Sequence, residues 1–353
     1  TADLAAVIAF YNQRLWVAEV TTAGAANGNT TDTFLEYSYL TMNNFLGSPL
    51  SVTLGRTPGL VLGRGLVVAG AGDDPTPANS PLANLADPLA CKCGIDGAYA
   101  RLDLDPMLVD FFYFKASEGD ANEDDDQNVY GVNAGYALGE GTLVEAYYVG
   151  ANNISGDATG IDDDYVNTFG LRANVAMGDT VEVFAEAALQ KGNSFDATNF
   201  AGTSAERTAY MLNAGGVLKL GDAMNTMIGG EYAYFSGDDS ATDTEDTGWY
   251  QLLEGYSWGE IADYFLVNNT NVHGLKAYVS TMLREDLTLA LNYAYILRAD
   301  SNDIVPGSTA GVYRNTFINT ASGYAVNSDE REFGQEIDLS VRYDYTEDVE
   351  IGL

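Results

Sequence analysis

Charge in this chain is placed with a period of two. The bases Arg101, Arg172, Lys219, Lys276, Arg298 and Arg342 stand on the face opposite large apolar residues. So do the acids Glu36, Asp103, Asp110, Glu145, Glu182, Glu186, Glu231, Glu336 and Asp338. Carboxylates and bases on one shared face could exchange protons, bind cations or line a hydrated passage. Acid/base catalysis needs one pair in a specific geometry, and nothing in the spacing singles one out. The sole histidine, His273, opens a strand-like segment, and no G-x-S-x-G motif is present, so the chain reads as non-enzymatic. A mixed-sign lining instead gives a wet interior with a transverse field, in which some charges also pair across the wall.

The elements that would carry these residues are strands. Asp286 to Arg298 reads D-L-T-L-A-L-N-Y-A-Y-I-L-R. Leu287, Leu289, Leu291, Tyr293, Tyr295 and Leu297 fall on one face, and Thr288, Ala290, Asn292, Ala294 and Arg298 on the other. The same alternation recurs in Phe169–Val175, Val181–Leu189, Tyr210–Leu218 and Ile337–Tyr345. It predicts about sixteen strands of roughly ten residues, the length that crosses a bilayer at barrel tilt. Short turns at 139–141, 177–179, 220–223, 284–286 and 346–348 alternate with long, mostly acidic connections. This is the pattern of an outer-membrane barrel, with short periplasmic turns and long external loops. The expected fold is therefore an all-β transmembrane antiparallel barrel of about 16–18 strands, a single domain over residues 1–353. Lipid then covers the apolar face, and outer-membrane lipids and lipopolysaccharide are its expected surroundings.

Composition narrows the reading. The formal charge is −35, with 16 Lys and Arg against 51 Asp and Glu, so no basic patch exists to neutralise nucleic-acid phosphates. Apolar content of 46% argues against a disordered acidic chain. No run of about 18 apolar residues is available for a transmembrane helix. The clusters Glu123–Asp126, Asp162–Asp164 and Asp238–Asp246 could attract Ca²⁺, but none matches the D-x-[DN]-x-[DN]-G loop. They read as solvated runs that concentrate cations at the mouth, and no cofactor is expected. Cys91 and Cys93 flank one lysine, a spacing that would strain an intrachain bridge. They read as an incidental loop pair, with a metal or intermolecular role as the alternative.

Near the start, Ala5–Tyr11 and Leu15–Thr21 are two weak strand candidates, and Leu4–Leu15 could also be helical. No charged leader precedes them, as in a mature exported chain. The final strand-like segment stops at Leu353, so part of one or both ends is expected to be missing from this sequence. Residues 60–72 are glycine-rich and lead into a long irregular stretch, of the kind that folds inward or carries function.

One family has similar motifs. Tyr39 to Arg56 reads Y-L-T-M-N-N-F-L-G-S-P-L-S-V-T-L-G-R, and Leu62-Gly63-Arg64-Gly65-Leu66 follows. Together with Ile95-Asp96-Gly97-Ala98, Gly230–Asp238 and Phe333–Leu339, this run resembles the alginate-export family of outer-membrane porins. The resemblance implies a monomeric barrel of about 18 strands. It also implies export or diffusion of a hydrophilic solute, and Arg56 and Arg64 as constriction residues. The family's exporter has a lumen rich in bases, whereas here inward acids at least equal inward bases. A channel is the first expectation. A structural barrel, sheathing surface or electron-transfer components with a periplasmic or surface protein partner, is the second.

Overall fold

The computed structural model describes residues 3–14, 31–70, 94–117, 126–152, 164–195, 204–238, 245–253, 255–259, 261–262, 269–300, 331–346 and 349–352. Among the described residues, eighteen strands occur in chain order. They are β1 (Asp3–Arg14), β2 (Thr31–Asn43), β3 (Leu50–Thr57), β4 (Leu60–Val61), β5 (Ala69–Gly70) and β6 (Ile95–Asp103). Then come β7 (Met107–Ser117), β8 (Gln127–Gly139), β9 (Thr142–Asn152), β10 (Tyr165–Met177), β11 (Val181–Phe195) and β12 (Ser204–Lys219). The last are β13 (Met227–Phe235), β14 (Glu245–Asp246), β15 (Val272–Arg284), β16 (Leu287–Arg298), β17 (Glu332–Thr346) and β18 (Val349–Gly352).

All but β4 and β5 belong to one sixteen-stranded sheet, in which each long strand pairs with its successor along the chain. Sequential antiparallel pairing forces the connections to alternate between the two ends. Short turns such as Glu140–Gly141 and Glu285–Asp286 therefore share one end, and the long connections share the other. The chain is a transmembrane antiparallel β-barrel with its short turns on the periplasmic side. Among the described residues, β1 and β18 are the two ends of the sheet and no ladder joins them.

The distribution of burial is inverted relative to a soluble protein. Leu171, Leu212, Ile337 and Leu339 are exposed on the outer face. Phe114, Met211, Phe235 and Val272 are fully buried on the inner face. Lipid solvates the first group. The second packs against chain that has folded into the lumen, so the apolar core lies inside the wall.

The Ala5–Tyr11 candidate is a strand, part of β1, so the helical alternative does not hold over residues 4–14; the Leu15–Thr21 candidate lies outside the described residues, as do Cys91 and Cys93. In β2, Leu35, Tyr37 and Tyr39 are spaced by two in the sequence, but a register shift opposite Ala9 and Phe10 breaks that alternation. Leu35 pairs with Phe10 on the outer face, whereas Tyr37 pairs with Ala9, one step out of phase. One extra residue, Glu36, is absorbed there, and a bulge exchanges the faces of everything beyond it.

Candidate functional site

Two segments fill the external half of the lumen. The first is the β4–β5 hairpin, whose turn carries Arg64 between Gly63 and Gly65, both at positive φ. The second is the described part of the β13–β15 connection. The two join through a bridge from Val68 to Leu253 and through Gly255 N–H, which donates to Gly65 O at 3.0 Å. Leu62, Leu66, Val67 and Val68 from the first pack with Trp249, Leu253, Tyr256 and Trp258 from the second. Together they meet Phe112, Phe114, Val149, Met211, Phe235 and Ile296 of the wall. Each large apolar side chain buried this way contributes about 1.5–3 kcal/mol, so the segments are packed parts of the structure.

Polar groups then fix their position. Gln190, which is fully buried, donates to Tyr250 O at 2.8 Å and accepts from Tyr250 N–H at 2.8 Å, as a backbone neighbour would. Arg207 pairs with Asp246 at 2.7 Å and donates to Gly248 O at 2.7 Å. The carboxylate of Glu336 accepts the backbone N–H groups of Ile261 and Ala262, each at 2.7 Å. Trp258 Nε1 donates to Asn269 Oδ1 at 2.6 Å.

Beneath these segments a girdle of charge runs around the inner wall. Register makes it: Arg101 stands directly opposite Asp110, and Asp110 opposite Asn133, on three successive strands. Arg101 Nε donates to Asp110 Oδ1 at 2.7 Å. Asn133 Nδ2 donates to Asp110 Oδ2 at 3.2 Å and to Glu145 Oε1 at 3.0 Å. Arg172 closes this arc on Glu145, and Tyr147 donates to Glu186 at 2.6 Å. On the far side, Glu231 accepts from Arg64 at 2.6 Å and from Tyr256 at 2.9 Å, and pairs with Lys276 at 3.3 Å. Arg64 also lies over the Phe184 ring, 4.0 Å from its centroid.

The girdle gathers Arg64, Arg101, Asp110, Glu145, Arg172, Glu186, Glu231 and Lys276 from the residues that the sequence pointed to, and Glu336 continues the row, two strands from Lys276 across Ala294. Lys219 and Glu182 form a looser pair at 4.0 Å, nearer the periplasmic end. Arg298 is buried at the external end of β16, with its guanidinium 5.8 Å from the Phe333 ring centroid. Asp338 stands opposite Asn292, one alternation below Glu336. Arg342 is exposed, 3.6 Å from Asp344 and 3.8 Å from Glu350 at the periplasmic end. Arg56 does not join the lumen. It shares the outward face of β3 with exposed Leu54 and pairs with exposed Asp96 at 2.9 Å, because the inward positions of that strand are Thr53 and Thr57. The acidic clusters lie largely outside the described residues. Of their described members, Asp126 pairs with Lys115, whereas Asp164, Asp238 and Asp246 are buried rather than solvated, Asp246 against Arg207.

Sequence reasoning missed a second pattern on the same wall. Phe114, Phe112, Tyr147, Phe184 and Tyr278 each stand opposite a glycine of the adjacent strand: Gly97, Gly131, Gly170, Gly215 and Gly229. A Cβ on any of these glycines would come within 2.7 Å of the facing ring, so the rings lie flat on the wall. Glycine at an inward position beside an inward aromatic was the available signal.

Residues 104–353 match the sequence profile of alginate-export proteins. The chain belongs to the alginate-export family. No curated protein matches this alginate-export chain in sequence. Solved structures resemble it in fold, among them OmpT, an outer membrane protein. OpdQ of Pseudomonas aeruginosa is 12% identical, with 91% of this chain and 76% of that one covered at a TM-score of 0.51. OccK7 of Pseudomonas aeruginosa (13%; 92% and 75%; 0.46) and OmpT of Vibrio cholerae (13%; 88% and 80%; 0.42) also match. At such identities the likeness concerns the fold alone. The family match and the lipid-facing wall assign the chain to the bacterial outer membrane as a channel for solute passage.

Proposed function

We propose that this alginate-export-family barrel is a passive pore for a small hydrophilic solute, and that the solute passes the charged girdle at the inner edge of the two inserted segments. One observation carries the reading: on a single strand, Leu171 is 65% exposed toward lipid while the neighbouring Arg172 side chain is 9% exposed in the interior. A wall that turns apolar groups outward and ion pairs inward supports an aqueous route through it. The girdle holds Asp110, Glu145, Glu186, Glu231 and Glu336 against Arg64, Arg101, Arg172 and Lys276. Carboxylates outnumber bases, which favours neutral or cationic solutes over a polyuronate. Residues that hold one another in ion pairs position the wall and set the field, with no reaction step assigned to them.

The test is conductance of the purified full chain in a planar bilayer. Discrete openings with weak cation selectivity are expected. Strong anion selectivity would contradict the charge argument. An intact barrel that never conducts would favour a sheath or scaffold role.

A further inference from the structure

The outer face carries a feature that the channel reading does not use. Lys191 points outward near the external end of β11, directly opposite Asn167 on β10 and Thr208 on β12. Its ammonium donates to Thr208 Oγ1 at 2.7 Å and, among the described residues, is in no ion pair. That is unusual in this chain, where Arg64, Arg101, Lys115, Arg172, Arg207, Lys219, Lys276 and Arg284 all pair with carboxylates. The nearest outward carboxylate on β12, Glu206, stands opposite Asn193, one alternation further out.

The neighbours of Lys191 present the same polarity. The Oδ1 of Asn167 already accepts the Tyr148 hydroxyl at 2.6 Å, so its amide N–H groups face outward as donors. Thr208 accepts from the ammonium, which turns its own O–H proton away. Three donors on three adjacent strands thus span about 10 Å, two interstrand spacings. Immediately toward the membrane centre stand Phe169, Leu189 and Tyr210, all exposed on the outer face. The donor row is the upper border of the lipid-covered surface.

We propose that Asn167, Lys191 and Thr208 seat the phosphate-bearing headgroup of an outer-leaflet lipid, with its acyl chains along Phe169, Leu189 and Tyr210. A charge-assisted donor flanked by two neutral donors fits the oxygens of a phosphate ester. The apolar surface directly below selects a lipid over a free ion. In a chain of net charge −35, a cation at the lipid border that pairs with no acid among the described residues is complementary to an anionic surface.

Native mass spectrometry of the full chain in detergent tests the seat, with phosphatidylglycerol and the uncharged, phosphate-free digalactosyldiacylglycerol as probes. Wild type should retain phosphatidylglycerol preferentially. Lys191→Ala should lower that retention about fivefold, the effect of one cation at an anionic lipid surface. Lys191→Arg should restore it, and Asn167→Ala should weaken it with the lysine intact, which covers the case in which Lys191→Ala folds poorly. Equal retention of both lipids, or unchanged retention by folded Lys191→Ala and Asn167→Ala, would overturn the proposal. So would displacement of the lipid by inorganic phosphate at equal concentration, which would make the occupant a free ion. None of these readouts depends on conductance, so the channel reading can fail independently.

Discussion

Arg64 reaches Glu231 across 167 residues of sequence, and their 2.6 Å contact ties the inserted hairpin to the barrel wall. The carboxylate is almost fully buried, whereas the guanidinium is 41% exposed and rests on Phe184. Glu231 also holds Tyr256 of the second segment and Lys276 of the wall, so one acid joins three elements.

Glu231→Gln should therefore loosen both inserted segments. It leaves Arg64 and Lys276 facing a neutral amide, at a cost of about 1–3 kcal/mol. Arg64→Ala removes a half-exposed pair and a ring contact, worth about 1 kcal/mol. Single-channel recordings should show larger or more frequent openings in both variants, with Glu231→Gln the stronger. Unchanged conductance in both would place the solute route away from this pair.

The flat rings offer a second handle on the route. A Cβ at Gly229 would stand 2.2 Å from Cζ of Tyr278, and its three nearest atoms all belong to that side chain. Gly229→Ala should tip the Tyr278 ring off the wall and into the lumen while the strand stays paired. Conductance should fall, and the double variant Gly229→Ala with Tyr278→Ser should recover it. If the single variant conducts normally, Tyr278 does not border the passage.

Lipid contact explains how much of this was legible in the sequence. The stripe Leu287–Leu297 keeps a strict period of two because one face meets lipid along its whole length. The inserted segments have no such constraint. Leu60, Leu62, Leu66, Val67 and Val68 cluster without a period and read as loop, yet they supply much of the core. Trp249, Tyr256 and Trp258 sit in a stretch that read as a long acidic loop. Arg56 went astray for another reason: the family pattern placed it at a constriction, although the alternation Leu50, Val52, Leu54 puts it on the outward face. The bulge at Glu36 moved Tyr37 and Tyr39, because one inserted residue shifts phase without leaving a composition signal.

The periplasmic turn between β12 and β13 should show a pH signature. Asp222 accepts Thr226 N–H and Thr226 Oγ1–H, both at 2.8 Å. The backbone N–H of Thr226, followed by its hydroxyl, holds the Asp222 carboxyl below the usual carboxylate range. A carboxyl depressed in the folded state stabilises above its unfolded value, about 3.9, and the contribution is lost as pH falls through the lower folded value. The gap in thermal stability between wild type and Asp222→Asn should stay level from about pH 8 to 5 and close below about 4. Heat-modifiable gel migration across that range measures it, and a gap independent of pH would remove the carboxylate as its cause.

The wall assignment is tested most directly by neighbours on β16. Leu291 is 43% exposed on the outer face, and Asn292 stands opposite Asp338 on the inner one. A lysine at 291 must carry its charge into hydrocarbon, which costs about 2–4 kcal/mol near the midplane. A lysine at 292 gains a carboxylate across the ladder and stays in a wet interior. Leu291→Lys should therefore reduce the heat-modifiable folded fraction after insertion into vesicles. Asn292→Lys should fold as wild type does and shift ion selectivity away from cations. Equal folding of the two variants would mean that lipid does not cover the Leu291 face.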